Sequence, residues 1–174
     1  LKGTIADGED EFGFERFICA HAIMLALEGI PAIYIQSLFG SRNDHNRVEH
    51  TGRARSINRH IWEADKLQES LANPNSHHGK IFRLIKIRRA QPAFHPNATQ
   101  FTMHLGTEVF AFWRQSINRD QSIFCLSNVT NQEQIINLSD INLIGTDEWR
   151  DLISGDHFTN LDEQLRLKPY QSVW

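Results

Sequence analysis

The feature that most constrains this chain is a short apolar run, "AIYI", at residues 32–35. A continuous run rich in β-branched side chains is typical of a strand buried on both faces of a parallel sheet. Such a strand needs a neighbour on each side, yet residues 1–95 offer no second strand of comparable quality. We therefore expect the first half to be a βα unit of a larger α/β body; a small mixed domain is the alternative.

Predicted helices flank this run. Residues 12–28 carry apolar side chains nearly all the way round a helical wheel, which is typical of a helix buried on most sides. Gly29 and Pro31 predict its end, because glycine is a common left-handed cap and proline cannot continue the helix. After the apolar run we expect a long polar loop and then two helices, over 40–62, 63–72 and 78–91 respectively.

From about residue 96 the period of the apolar residues changes to two, which is typical of half-buried strands. We therefore predict an α+β chain with two parts, helices around one strand over 1–95 and an antiparallel β domain of about six strands over 96–174. The expected strands of the β domain are 101–105, 109–114, 122–127, 134–138 and 165–167, with a further strand in the ending "KPYQSVW".

Charge and cysteine content narrow the class of partner. The formal net charge is −3 and the pI is near 6.3, whereas nucleic-acid-binding domains are usually basic, so we expect no nucleic-acid partner. No apolar run reaches the ~20 residues that span a bilayer and no signal peptide is recognisable, so we expect no membrane partner. Cys19 and Cys125 lie in apolar runs and are expected to be small core residues with free thiols. Free thiols are typical of proteins in a reducing compartment, so we expect a cytoplasmic protein.

The polar loop contains "TGRARSINRH" at 51–60, with three arginines at 53, 55 and 59. Three interpretations of these arginines are open: they bind phosphate or nucleic acid, they pair with a charged group in an enzyme pocket, or they belong to a solvated loop. Active sites of barrel enzymes form from loops at the carboxyl ends of the strands, and arginine suits bidentate pairing with a carboxylate. The placement therefore favours the pocket.

Three stretches together carry a family resemblance: "GIPAIYIQSLFGSRND" at 29–44, "TGRARSINRH" at 51–60, and "IRRAQPAFHPNA" at 87–98. They resemble the last βα unit of the α-amylase-type glycoside hydrolase barrels, and within that clan the sucrose phosphorylase subfamily, which includes the glucosylglycerate phosphorylases. The resemblance implies the last βα unit(s) of a (β/α)8 barrel followed by a C-terminal antiparallel β domain. Residues 32–36 would then be the eighth barrel strand.

The same resemblance implies roles for the loop. Arg55, in the matching pattern "RSINR", would reach the glucosyl-binding subsite and pair with a family aspartate from the first barrel loops. Arg59 would be its structural companion. Possible further contacts of the loop with substrate are Arg42, Asn43, Asp44 and Arg53.

The activity that the resemblance implies is that of a retaining phosphorylase, which cleaves an α-glucoside such as sucrose or glucosylglycerate with inorganic phosphate to give glucose 1-phosphate. Family members use carboxylates from barrel strands four, five and seven, and none of those segments lies in this chain. We therefore assign no catalytic residue and expect the chain alone to be inactive. We expect no cofactor and no metal, since the histidine spacings match no known zinc pattern. The acidic stretch near the start is expected to be a solvated terminus; it contains Asp7, Glu9, Asp10 and Glu11.

Two alternatives stay open. One is a hydrolase or transglucosidase of the same clan, in which water or a sugar replaces phosphate. The other is a non-catalytic module whose β domain or arginine-rich loop binds carbohydrate or an anion. Because a strand cut from its neighbours exposes backbone groups and apolar faces, we also expect either self-association through residues 12–39 or loss of strand pairing there. The aromatic cluster Phe110, Phe112 and Trp113 is predicted to be core rather than a sugar platform.

Overall fold

The computed structural model describes residues 10–174, and its first half is helical. The α-helices in that range are α1 Gly13–Ala26, α2 Ile35–Leu38, α3 His45–Thr51, α4 Ala64–Ala72, α5 His77–Arg89 and α6 Leu138–Ile141. Two short 3-10 helices cover Ala54–Asn58 and Pro92–Phe94.

The strands all lie after residue 98 in the part of the chain described. They are β1 Thr99–His104, β2 Val109–Gln115, β3 Ser122–Asn128, β4 Gln134–Asn137, β5 Trp149–Arg150, β6 His157–Phe158, β7 Gln164–Leu167 and β8 Ser172–Val173. Strands β1, β2, β3 and β8 form, in that order, a four-stranded antiparallel sheet, while β4 pairs with β7 and β5 pairs with β6. The register places Trp113 between Phe101 on one side and Phe124 on the other.

Two compact units make up the described residues. One comprises residues 31–83, with α2, α3, α4 and the start of α5. The other comprises residues 84–174 together with the chain up to residue 30, so that α1 belongs to the same unit as the β domain. The predicted division at residue 95 concerns the intact protein and stays a prediction.

The core of the β domain is formed by apolar side chains that alternate along the strands. Ala111 of β2 and Leu126 of β3 lie side by side in the register and are both 2% exposed. Burial of such side chains is the main stabilising contribution to a fold of this size. The other buried members of this core are Val109, Ile136, Leu138, Ile141, Leu165, Leu167 and Val173.

Helix α1 packs against β3 and β8, and two buried arginines from other elements hold its carboxyl end. The last turn of α1 contains no basic residue of its own. Arg88 of α5 donates to three carbonyl oxygens between residues 25 and 29, and Arg114 of β2 donates to that of Ala26. The two guanidinium groups therefore satisfy carbonyl groups that a helix end leaves without partners, and they complement its negative dipole end.

At the amino end of α1, Arg16 is buried and forms an ion pair with Asp10 at 2.5 Å. Its guanidinium also donates to the hydroxyl of Tyr170 at 3.2 Å and lies 4.5 Å from the centroid of that ring. The hydrogen bond from Arg16 lowers the pKa of the Asp10 carboxyl, and the same bond raises the pKa of the guanidinium. Asp10 is thus part of a structural ion pair rather than a solvated terminus, while Asp7 and Glu9 lie outside the described residues.

The predicted strand at residues 32–36 is wrong for this chain. Tyr34 is extended, with φ −68° and ψ 138°, but residues 32–34 belong to no sheet in the part of the chain described, and α2 begins at Ile35. A strand needs ladder partners, and 32–36 has none within residues 10–174. The structure shows the expected loss of strand pairing at this segment, and self-association stays a prediction.

The predicted polar loop over 40–62 is likewise more ordered than expected, because α3 and a 3-10 helix lie within it. The helices predicted over 12–28, 63–72 and 78–91 are confirmed as α1, α4 and α5. In the β domain the predicted long strands are present, whereas the two-residue strands β5 and β6 and helix α6 were not expected.

The aromatic cluster is only partly core. Phe112 is 2% exposed and fits the prediction, but Phe110 is 42% exposed, so its assignment to the core was wrong. Successive residues of a strand point to opposite faces, so Phe110 and Phe112, which are two positions apart, point to the same face of β2. On that face, Phe112 lies at the middle of β2, whereas Phe110 lies beside His104, near the end of edge strand β1.

Among residues 10–174, no helix is both long and apolar enough to cross a bilayer.

Candidate functional site

The segment that contains the predicted site residues begins just after α2, at Gly40, where both the backbone conformation and the available space favour glycine. Gly40 has a φ of +62°, in the left-handed region that glycine adopts without strain. A Cβ atom added to Gly40 would lie 2.3 Å from the ring of His77. The neighbouring Phe39 ring stacks on His78 at 5.3 Å and lies 5.6 Å from Trp62. Close packing against α5 therefore fixes where the chain leaves α2.

A polar network joins the two ends of this segment. The side-chain oxygen of Gln36 accepts hydrogen bonds from Ser41 Oγ at 2.7 Å and from Trp62 Nε1 at 3.3 Å. Its side-chain nitrogen donates to the carbonyl oxygen of His60 at 2.9 Å. Trp62 Nε1 also donates to Ser41 Oγ at 3.1 Å. We call the side chains of Gln36, Ser41 and Trp62 the Gln36 clamp.

Inside the segment, local hydrogen bonds fold the chain back on itself. The carboxylate of Asp44 accepts from the backbone N–H of Arg47 at 2.9 Å and so caps α3, as aspartate commonly does. The backbone N–H of Asp44 donates to the carbonyl oxygen of Ile57 at 2.7 Å. Gly52 then ends α3 with a φ of +63°. The arginine-rich stretch consequently runs back alongside the start of the segment.

A surface concavity of about 580 Å³ opens between the two ends of the segment. The side chains around it supply one guanidinium, a carboxylate, amides, imidazoles and an indole, which is a mixture of polar donors and acceptors with one aromatic surface. Planar polar groups of this kind can pair with neighbouring hydroxyl groups, and an indole offers an apolar face to a sugar ring. The lining residues are Gly40, Ser41, Arg42, Asn43, Asp44, His45, Asn46, His60 and Trp62.

Three of the predicted site residues therefore meet in the concavity, namely Arg42, Asn43 and Asp44. Arg53 and Arg55 do not line it. Both are exposed, and Arg55 lies in the 3-10 helix Ala54–Asn58. Neither arginine side chain forms an ion pair within residues 10–174.

The concavity contains no obvious metal site. No group of three or more His, Cys, Asp or Glu residues within residues 10–174 is placed to hold a metal ion. The side chains that line the concavity can bind a polar organic ligand through hydrogen bonds and stacking.

Gln36 and Trp62 are contributors to the site that sequence reasoning missed. Their hydrogen bonds join positions 26 residues apart, and no local periodicity reports such a contact. One signal was available: Gln36 is a polar residue directly after the apolar run at 32–35, inside the family-like stretch at 29–44. Gln36 and Trp62 are both half-buried.

Comparison with protein families gives a match in the second half of the chain. Residues 101–174 match the family described as "Maltogenic Amylase, C-terminal domain". A glucosylglycerate phosphorylase from Allomeiothermus silvanus is 39% identical over 178 aligned residues, which cover 100% of this chain and 29% of that protein. The glucosylglycerate phosphorylase of Escherichia coli K12 is 35% identical over 97% of this chain and 29% of its own length. A sucrose phosphorylase from Agrobacterium vitis is 31% identical over 56% of this chain and 20% of its own length.

Solved structures show the same fold at lower identity. An isomaltulose synthase variant from Erwinia rhapontici, crystallised with D-glucose, superposes with a TM-score of 0.69 and 17% identity over 95% of this chain and 38% of that one. A trehalose-6-phosphate hydrolase from Bacillus licheniformis gives a TM-score of 0.68 and 18% identity over 94% of this chain and 38% of that one. The chain therefore spans less than a third of the curated relatives and well under half of these structures.

Proposed function

This chain belongs to the α-amylase clan, as a C-terminal part related to the glucosylglycerate and sucrose phosphorylases, and on that premise we propose that the intact protein is an α-glucosyl phosphorylase. It takes an α-glucoside, either glucosylglycerate or sucrose, and inorganic phosphate, and releases glucose 1-phosphate. The observation that carries this proposal is the 39% identity to a glucosylglycerate phosphorylase along the whole chain.

The proposed reaction retains the configuration of the glucosyl carbon. In such a reaction a carboxylate displaces the leaving group to form a glucosyl ester while a carboxylic acid protonates the departing oxygen, and phosphate oxygen then displaces that carboxylate. The two carboxyl groups lie about 5–5.5 Å apart in retaining enzymes. We assign them to a part of the intact protein outside this chain, and we expect the 174-residue chain alone to form no glucose 1-phosphate.

The contribution of this chain to the reaction is the segment from Gly40 to Trp62. We assign Arg55 to the glucosyl subsite, where its fixed charge pairs with a carboxylate of the remaining barrel. This assignment is supported by the exposure of Arg55 and by its lack of an ion pair within residues 10–174. Arg42, Asn43 and Asp44, which share the concavity, and exposed Arg53 are assigned to further substrate contacts.

The architecture proposed for the intact protein follows from the same premise. Residues 1–95 close a (β/α)8 barrel, and residues 96–174 form the β domain that follows it. The extended residues 32–34 then gain ladder partners from neighbouring barrel strands, which the described residues do not supply. We place the intact enzyme in the cytoplasm, as expected from the two free cysteines, both buried.

A product assay on the full-length protein tests the proposed function. Glucosylglycerate or sucrose is supplied with inorganic phosphate, and glucose 1-phosphate and free glucose are measured separately. Glucose 1-phosphate that requires phosphate supports a phosphorylase. Free glucose at the same rate with and without phosphate indicates a hydrolase, and a new disaccharide indicates a transglucosidase. No turnover, together with calorimetric binding of a sugar or an anion to the 174-residue chain, indicates a binding module.

A further inference from the structure

The side chain of Gln36 makes three hydrogen bonds to the two ends of one segment. It accepts from Ser41 Oγ and Trp62 Nε1 and donates to the carbonyl oxygen of His60. The backbone carbonyl of Gln36 also accepts from the backbone N–H of Ser41 at 2.9 Å. Ser41 opens the segment and His60 with Trp62 closes it, so a single residue ties both ends together.

The chemistry of glutamine suits this task. Its carboxamide has acceptor and donor groups on one planar unit, and here the acceptor faces two donors while the donor faces a carbonyl oxygen. A carboxylate at residue 36 would keep the acceptor side but would place an anion against the oxygen of His60. An aliphatic side chain would leave the Ser41 hydroxyl and the Trp62 indole paired only with each other.

The position of the clamp matters because the ligand-facing groups lie on the segment that it closes. Ser41 and Trp62 both line the concavity, and Arg55 lies between the two tied ends. Tying the ends reduces the number of conformations open to the segment. A displacement of about 1 Å in a substrate-binding group can reduce a rate by about a hundredfold.

We propose that Gln36 is a positioning residue for substrate binding in the intact enzyme, acting through Ser41 and Trp62 to fix the segment that carries Arg55. This inference rests on the proposed function. Gln36 itself touches the segment rather than the substrate. Its loss therefore acts on the geometry of the concavity and of Arg55 without removing either.

The test is a double-mutant cycle in the full-length protein. Gln36→Leu and Trp62→Phe, which keeps an aromatic ring but removes the indole N–H, should each lower kcat/KM for phosphorolysis by about tenfold. If both act through one clamp, the double variant should be little worse than Gln36→Leu alone. Gln68→Leu, on the exposed surface of α4, should leave kcat/KM unchanged. Full additivity, or a lower melting temperature with an unchanged kcat/KM, would overturn the proposal.

A second measurement does not depend on activity. Amide hydrogen exchange in residues 41–62 should be faster in the Gln36→Leu variant than in the original protein, while exchange in β2 and β3 stays the same. Unchanged exchange in residues 41–62 would also overturn the proposal. If the full-length protein makes no glucose 1-phosphate but the exchange result holds, the proposed function fails while the clamp stands as a structural device.

Discussion

Arg114 Nη1 donates to the carbonyl oxygen of Ala26 at 2.8 Å, and this bond joins an inner strand of the β sheet to the end of α1. The guanidinium is 0% exposed, and its other terminal nitrogen donates to the carbonyl oxygens of His95 and Ala98. Burial lowers the pKa of this group from its ordinary value. A cation is retained here because three backbone acceptors, one of them at the negative end of a helix, need a donor.

Replacing Arg114 by Met should destabilise the chain by about 3 kcal/mol or more, because each buried acceptor left without a donor costs about 1–3 kcal/mol. Relief of the burial cost of the charge offsets part of that sum. Urea unfolding of the 174-residue chain measures the change. Arg166→Met, which breaks an exposed pair with Glu133, should cost less than about 1 kcal/mol. Similar losses in the two variants would contradict this account of Arg114.

Gly40→Ala should be more destabilising than Gly52→Ala. Both glycines have φ near +60°, at +62° and +63°, so both substitutions carry the left-handed backbone cost of about 1–2 kcal/mol. Only at Gly40 does the new Cβ meet another side chain, the ring of His77, whereas nothing lies within 4 Å of that position at Gly52. The extra loss should be about 1–3 kcal/mol, as for overpacking elsewhere. Equal losses in thermal unfolding would show that His77 moves aside freely.

The ion pair between Asp10 and Arg16 should make stability depend on pH on the acid side. Because the folded-state pKa of Asp10 is lowered from 3.8, its contribution is fully present above that unfolded value and is lost as pH falls through the lower folded pKa. Asp10→Asn should therefore reduce stability at pH 6 and flatten its decline below about pH 4. Urea unfolding at several pH values tests this, with exposed Asp65→Asn as the control for charge. An unchanged acid-side slope in the Asp10→Asn variant would contradict the assignment.

Much of the fold follows from sequence because periodicity reports local environment. The near-continuous apolar character of residues 12–28 predicted α1, and the change to period two predicted the long strands. The strand at 32–36 could not be predicted in the same way, since strand formation depends on partners that periodicity does not reveal. Very short strands such as Trp149–Arg150 leave no periodic signal at all.

The resemblance of one stretch to a family predicted some of the site residues. The contacts between positions far apart in the chain were not predicted. Arg42, Asn43 and Asp44 were expected together and do share the concavity. The role of Arg55 stays a prediction. The Gln36 clamp and the buried Arg114 were missed, although Arg114 lies two residues after buried Phe112 in β2 and so on the same face of the strand. That alternation was a readable signal for an inward-pointing arginine.

The 174-residue chain should self-associate in solution through residues 30–35, which end at the first residue of α2. Its apolar side chains there are exposed, with Ile30 at 85%, Ile35 at 56% and Tyr34 at 49%. Exposed apolar surface of this kind promotes association. Sedimentation velocity should show oligomers that Ile30→Ser with Ile35→Ser disperses, while Leu143→Ser, 61% exposed in the β domain, should not. A monomer at all concentrations, or dispersal by the control variant, would contradict this expectation.

The most direct test of the central claim is the effect of Arg55→Ala on glucose 1-phosphate formation by the full-length protein. If Arg55 pairs with a carboxylate in the glucosyl subsite, its removal leaves that charge unpaired and should lower kcat/KM by about two orders of magnitude or more. Arg55→Lys should recover little, because lysine lacks the planar fork of guanidinium. Arg47→Ala, a loss of one arginine from the same segment, should change kcat/KM little. Equally small effects of Arg55→Ala and Arg47→Ala would show that the arginine-rich stretch is only a solvated loop.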